Sequence, residues 1–194
     1  MTHTPFTIWC IVLTIVVVVI AMITDLLSRR IPNLLTFPAF LLAIALRIAF
    51  QGWVGLGLAL AGAILAPTLL LVMHGGKGLG MGDLKLAAAI GAILGPALAV
   101  ASVLLTAVAG GILGIGMMLK PGGSLRNLIS VISIGLPFRK KKGEGEPAAD
   151  ESPVAITMPY GVAIGAGSLM TLAVYWWTGN ENWFLSFVGI AGKL

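Results

Sequence analysis

Residues 75–85, with the sequence GGKGLGMGDLK, interrupt an almost unbroken series of apolar residues and decide how the chain is organised. The stretch contains five glycines, two lysines and one carboxylate, that of Asp83. Non-helical backbone beside a membrane is tolerated only where protein buries it or water reaches it. An acidic residue in such a place indicates a functional site. The stretch therefore predicts a loop at a membrane boundary that carries a reactive carboxyl group.

The composition on both sides of this loop is that of an integral membrane protein. Of the 194 residues, 58% are hydrophobic and 10% are charged, and the mean hydropathy is +1.05. Soluble domains carry about 25% charged residues. The net charge of +5 is explained by membrane topology, because the basic residues are not interleaved with aromatic ones, so we expect no nucleic-acid partner. The single cysteine, Cys10, allows no internal disulfide and no cysteine-based zinc site.

Apolar segments predict an all-α, polytopic protein with about six transmembrane helices, since a helix needs about 20 residues to cross the hydrocarbon layer. Breaks are expected at Pro32, with Asn33 as the cap of the second helix, and at residues 51–53 and 95–96. Asp83 is expected in or just before the first turn of the fourth helix. The predicted spans are 6–24, 34–50, 54–73, 84–94, 97–119 and 154–177.

Residues 120–153 differ from the rest of the chain. Leucine and isoleucine residues recur at helical spacing in their first half, which predicts an amphipathic helix on the cytoplasmic membrane surface. A basic and then acidic stretch follows, which is typical of a flexible loop. The whole chain, 1–194, is treated as one membrane-embedded domain that contains this loop. The tail after Trp177 is too short to form another span.

The basic residues predict the orientation. With six spans and the N-terminus outside, every basic residue except Arg47 and Lys193 falls on the inner side. This distribution follows the positive-inside rule. The five tryptophans all fall toward the outer interface. In this orientation Asp25, at the end of the first span, and Asp83 reach the same cytoplasmic boundary.

Asp25 and Asp83 are the only acidic residues before residue 144. Two carboxylates held close together share a proton, because both cannot ionise easily. Such a pair can hydrolyse a peptide bond without a metal. Gly80 and Gly82 would let an extended substrate backbone approach the loop closely. The alternative for each aspartate is an anchor or ion pair beside nearby basic residues.

Other motifs in the loop do not fit their usual sites. The spacing Gly78-x-Gly80-x-Gly82 is not the dinucleotide-binding fingerprint, and no soluble strand precedes it. No serine or threonine follows Lys77, as a phosphate-binding loop requires. His74 is interpreted as a polar loop residue.

The sequence resembles the type IV prepilin peptidases, membrane aspartyl proteases with a Gly-x-Gly-Asp motif. The matching residues are Asp25 followed by Arg30-Ile31-Pro32-Asn33, Gly78-x-Gly80-x-Gly82-Asp83-x-Lys85, and Pro159-Tyr160-Gly161. The resemblance implies that Asp25 and Asp83 are the catalytic pair. It also implies a substrate-binding set formed by Gly78, Gly80, Gly82, Lys85, Pro159, Tyr160 and Gly161.

The resemblance further implies a multi-pass protein of the bacterial inner membrane that cuts the basic leader from prepilins or pseudopilins, with no cofactor and no metal. Cleavage would follow a glycine at the junction with the hydrophobic pilin helix. Pilus or secretion assembly components are possible partners. The cysteine-rich, zinc-binding insertion of the larger members is missing, so we expect no N-methyltransferase activity. The chain is similar to the small, peptidase-only form associated with tight-adherence (Flp-type) pili.

Two other classes of function remain open at this point. A small transporter or proton-relay protein would also carry carboxylates in a membrane, near the bilayer midplane and often with an internal repeat. Neither feature is visible in the sequence. A scaffold subunit of a secretion complex would make both aspartates dispensable.

Overall fold

The described part of the chain forms helices and contains no strand, which confirms the predicted all-α class. The computed structural model describes residues 4–28, 31–74, 79–118 and 160–179. Within them lie α1 (Pro5–Ser28), α2 (Asn33–Met73), α3 (Met81–Leu94), α4 (Pro96–Met118) and α5 (Tyr160–Thr178). The predicted surface helix and loop at 120–153, the start of the last predicted span and the tail beyond 179 lie outside the described residues.

Three helices in this part are long and apolar enough to cross a membrane: Pro5–Ser28, Asn33–Met73 and Pro96–Gly114. In α1 a narrow stripe that includes Thr14, Val18 and Ala21 is buried against the other helices. Large apolar side chains such as Val12 and Val16 are about half exposed on the opposite face. Apolar helix faces that pack against no protein are stable in hydrocarbon, so this is a membrane protein.

The second and third predicted spans form one helix, α2, with a break at Gly52. The backbone there has φ 63° and ψ −145°, a conformation that glycine adopts without the steric cost of a Cβ. The predicted turn at 51–53 is thus reduced to a single non-helical residue between two arms, 33–51 and 53–73.

The predicted cap of α2 is wrong. Pro32, with extended backbone, occupies the cap position and has no side chain that could accept a hydrogen bond. Asn33 is the first helical residue, and its side-chain oxygen accepts a hydrogen bond from Lys85 Nζ at 2.9 Å. The asparagine side chain therefore connects α2 to α3 and does not cap the N-terminus of α2.

The helix α3 is the most enclosed element, and eight of its 14 residues, from Leu86 to Leu94, are buried. It crosses the second arm of α2 at Gly62 and Gly91, where a Cβ on either glycine would meet the carbonyl oxygen of the other. Small residues at a crossing let two helix backbones approach closely in a membrane. The predicted break at 95–96 is confirmed, since α3 ends at Leu94 and α4 begins at Pro96.

Arg47 lies inside α2 and is only 5% exposed, so it is not a charge of an outer loop. Its guanidinium donates from Nε to the Ala92 carbonyl at 2.9 Å and from Nη2 to the Ile93 carbonyl at 3.1 Å. These carbonyls belong to the last turn of α3, where helical partners are lacking. Arg47 thereby caps α3 and marks the end of the bundle opposite Asp83.

Candidate functional site

The other end of the bundle gathers the polar residues that the sequence singles out. It is formed by the last turn of α1, both ends of α2 and the first turns of α3 and α5. Hydrogen bonds and ring contacts connect these segments, as the following pairs show: Asp25 with Gly161, Asn33 with Lys85, and His74 with Tyr160. Helices far apart in the chain thus meet here, which brings the two aspartates into one site.

Asp25 lies within α1, in its last turn, and is only 6% exposed. Its Oδ2 accepts a hydrogen bond from the backbone N–H of Gly161 at 2.8 Å. A Cβ on Gly161 would lie 2.8 Å from the same oxygen and 3.0 Å from Cγ of Asp25. Any residue other than glycine at this position would therefore displace the carboxylate.

Asp83 lies in the first turn of α3, as the sequence predicts. Its carboxylate accepts a hydrogen bond from the Gly80 N–H at 3.2 Å, and the side chain is half-buried. Burial raises the pKa of Asp83 to about 6, against the opposing effect of the Gly80 hydrogen bond, and the negative charge of Asp25 also raises it. The two carboxylates are therefore close enough to influence each other, and Asp83 holds its proton more tightly than an ordinary aspartate.

Tyr160 begins α5, directly before Gly161. The side chain is a phenol, which can donate a hydrogen bond. Its ring meets that of His74 edge to face, with centroids 4.8 Å apart.

His74 is the residue of this site that sequence reasoning missed, because an isolated histidine before a glycine-rich loop has no distinctive pattern. The contact with Tyr160 joins residues that are far apart in the chain. Its position directly before the glycine-rich stretch that leads to Asp83 is the only signal in the sequence.

The remaining predicted substrate-binding residues divide into two groups. Gly78 and Pro159 lie outside the described residues. Gly80 precedes α3, Gly82 packs against Ile31, and Lys85 is exposed with its amine on Asn33. Lys85 and Gly82 therefore tie the helix that carries Asp83 to the segment that follows Asp25.

The chemistry open to this arrangement is acid–base chemistry. The Asp25 carboxylate accepts a hydrogen bond from the Gly161 N–H, whereas Asp83 has a raised pKa. Two carboxyl groups in such different surroundings can divide the roles of base and acid. Among the described residues, no group of three or more histidine, cysteine, aspartate or glutamate side chains could hold a metal ion.

Comparison with known proteins identifies the family. The model of the type IV leader peptidase family matches residues 11–115, which is more than half of the chain and includes both Asp25 and Asp83. A search of curated proteins and a search of solved structures found no match. The match confirms the resemblance that the motifs of the sequence indicated. The chain belongs to the type IV leader peptidase family.

Proposed function

We propose that this protein is an aspartic endopeptidase that removes the leader peptide from type IV prepilins or pseudopilins at the cytoplasmic face of the bacterial inner membrane. The observation that carries the proposal is the meeting of Asp25 and Asp83 at one end of the bundle. They are the only acidic residues among the described ones, and the charge of one acts on the other. Membership of the leader peptidase family supports the same reaction.

In the proposed mechanism Asp25 is the base and Asp83 is the acid. The Gly161 N–H stabilises the Asp25 carboxylate, which takes a proton from a water molecule. The water oxygen then attacks the scissile carbonyl carbon, while the Asp83 carboxyl donates its proton to the carbonyl oxygen. Collapse of the tetrahedral intermediate returns that proton to Asp83, and Asp25 gives its own to the departing amine. The dyad thus regains its starting state without a metal or cofactor.

Six spans are proposed, with the N-terminus outside. The break at Gly52 supports two spans in α2, because each arm has about 20 residues, the number that crosses the hydrocarbon layer. The α3 helix, with 14 residues, extends only about 21 Å, which is shorter than the hydrocarbon layer of about 30 Å. The burial of Arg47 within the bundle leaves Lys193 as the only basic residue assigned to the outer loops and tail. That distribution supports the proposed orientation.

A cysteine-labelling experiment tests the orientation. Ser28 is exposed and follows Asp25 by three residues, so a Ser28→Cys variant in a Cys10→Ala background reports on the active-site side. A membrane-impermeant thiol reagent should label it only after the cells are permeabilised. Labelling of intact cells would contradict a cytoplasmic site.

The substrate assignment is tested by cleavage of a candidate prepilin. Co-expression with the protein should shorten the prepilin by the mass of its leader, as measured by mass spectrometry. A matched prepilin with the junction glycine replaced by a bulky residue should stay intact, since the resemblance implies cleavage after that glycine. The mature product should carry no N-methyl group. An uncut wild-type prepilin would overturn the assignment.

The pH dependence of the reaction tests the role of Asp83. Because Asp83 acts as acid only while protonated, kcat/KM should fall as pH rises through about 6, the value to which burial raises its pKa. The expected slope is about tenfold per pH unit above that point. The variant His74→Asn should still show this fall in kcat/KM but at a higher pH, because the charge of His74 lowers the pKa of Asp83. If the fall disappears in this variant, the titrating group is the histidine and not Asp83.

A transporter or proton relay is the competing class, and no described feature favours it. Such a protein needs a carboxylate that lines a cavity within the membrane. A cavity of about 660 Å³ lies at the Arg47 end of the bundle, and no acidic residue lines it in the described part of the chain.

A further inference from the structure

His74 lies at the C-terminal end of α2, where two hydrogen bonds connect it to the Leu70 carbonyl. Its ring nitrogen Nδ1 lies 2.9 Å from the carbonyl oxygen of Leu70. A carbonyl oxygen only accepts hydrogen bonds, so Nδ1 carries the hydrogen and the orientation of the ring is fixed. The backbone N–H of His74 bonds the same carbonyl at 3.2 Å. Both bonds place the imidazole on one side of the helix end.

The fixed imidazole meets the ring of Tyr160 at nearly a right angle, 86°, with centroids 4.8 Å apart. This is the edge-to-face geometry that stabilises aromatic pairs. Tyr160 is followed directly by Gly161, whose N–H holds the Asp25 carboxylate. The charge of His74 also lowers the pKa of Asp83, against the larger effect of burial. His74 therefore contacts the segment that fixes one aspartate and lies near the other.

We propose that His74 is a positioning residue of the peptidase site, whose ring holds Tyr160 and thereby keeps the Gly161 N–H on Asp25. The inference rests on the proposed function, because it assigns a role in the same reaction. Without the ring, the first turn of α5 would lose its contact with α2. The Gly161 N–H would then hold Asp25 less often in the geometry for water activation, which lowers kcat and leaves substrate binding unchanged.

The competing explanation is that His74 only caps α2, since polar side chains near a helix C-terminus commonly bond its last carbonyls. Two variants separate these roles. His74→Asn keeps an amide N–H near the position of Nδ1, and so keeps the cap, but it has no ring. His74→Phe keeps the ring and has no donor for the Leu70 carbonyl. A positioning role predicts that phenylalanine rescues activity and asparagine does not, whereas a capping role predicts the reverse.

The experiment measures kcat and KM for leader removal by wild type, His74→Asn and His74→Phe, each in purified, folded form as judged by thermal unfolding in detergent. An aromatic pair of ordinary strength corresponds to a change of about 2- to 10-fold. We expect His74→Asn to lose that much in kcat with KM unchanged, and His74→Phe to stay closer to wild type. Tyr160→Ala should lose as much as His74→Asn, and the double variant no more. The other tyrosine of α5 provides a matched control, and Tyr175→Phe should have the wild-type kcat.

A kcat for His74→Phe that is equal to or below that of His74→Asn would overturn the inference, whether both values are high or low. Additive losses in the double variant would overturn it as well. Asp25→Asn and Asp83→Asn measured in the same assay keep the two hypotheses apart. If either aspartate variant removes the leader, the proposed function itself fails. If both are inactive and the histidine variants behave alike, only the role of His74 fails.

Discussion

Replacing Asp25 or Asp83 with asparagine is expected to abolish leader removal. Asparagine has nearly the same size and can still form hydrogen bonds, but it can neither take a proton from water nor give one to a carbonyl oxygen. General acid–base catalysis by one side chain contributes about 10²- to 10⁴-fold to a rate. Since base and acid act in one step, either substitution alone should remove most of the activity. The effect is measured by co-expressing a prepilin and monitoring its leader removal as a shift in gel mobility.

The third aspartate of the chain, Asp150, provides a matched control for this substitution. It belongs to the charged stretch within residues 120–153, and Asp150→Asn should process the prepilin like wild type. The single aspartate variants should also retain wild-type amounts of protein in the membrane. Substantial processing by Asp25→Asn or Asp83→Asn would contradict the peptidase mechanism, and the scaffold and transporter explanations would then have to be reconsidered.

The helices were predictable because each depends on local sequence. Apolar length predicts α1 and α4, and the glycine–proline pair at 95–96 predicts the break between α3 and α4. The order of the spans also predicts that Asp25 and Asp83 lie at the same end of the bundle. For the helices and the break, residues close in the chain carry the physical cause.

The contacts that build the site were not predictable in this way. The Gly161 N–H reaches Asp25 across 136 residues, and a backbone amide leaves no mark in the sequence beyond the glycine itself. Asn33 was assigned to a cap by its residue type, but the opportunity to bond Lys85 exists only after α2 and α3 pack together. The order of the spans predicts that Arg47 lies toward the outer side, but sequence patterns do not reveal that its partners are carbonyls of α3.

Gly161→Ala is expected to lower kcat by about 100-fold, the cost that a displacement of about 1 Å imposes on a reacting group. The added methyl carbon would lie 2.8 Å from Asp25 Oδ2 and 3.1 Å from Cβ of the same side chain. Cβ atoms in proteins essentially never lie within 3.0 Å of such an atom, so either the Asp25 carboxylate or the first turn of α5 must move. Gly111→Ala, at an exposed glycine of α4 with no atom within 4 Å of the added Cβ, is the matched control and should keep wild-type activity.

The same variant decides between two roles for Gly161. The resemblance to prepilin peptidases implies that this glycine binds substrate, whereas its hydrogen bond indicates that it positions Asp25. A group that binds substrate and transition state equally changes KM when it is lost, but a group that orients the base changes kcat. We therefore expect Gly161→Ala to lower kcat at nearly constant KM. A raised KM with kcat intact would return Gly161 to the substrate-binding set and leave the orientation of Asp25 to other contacts.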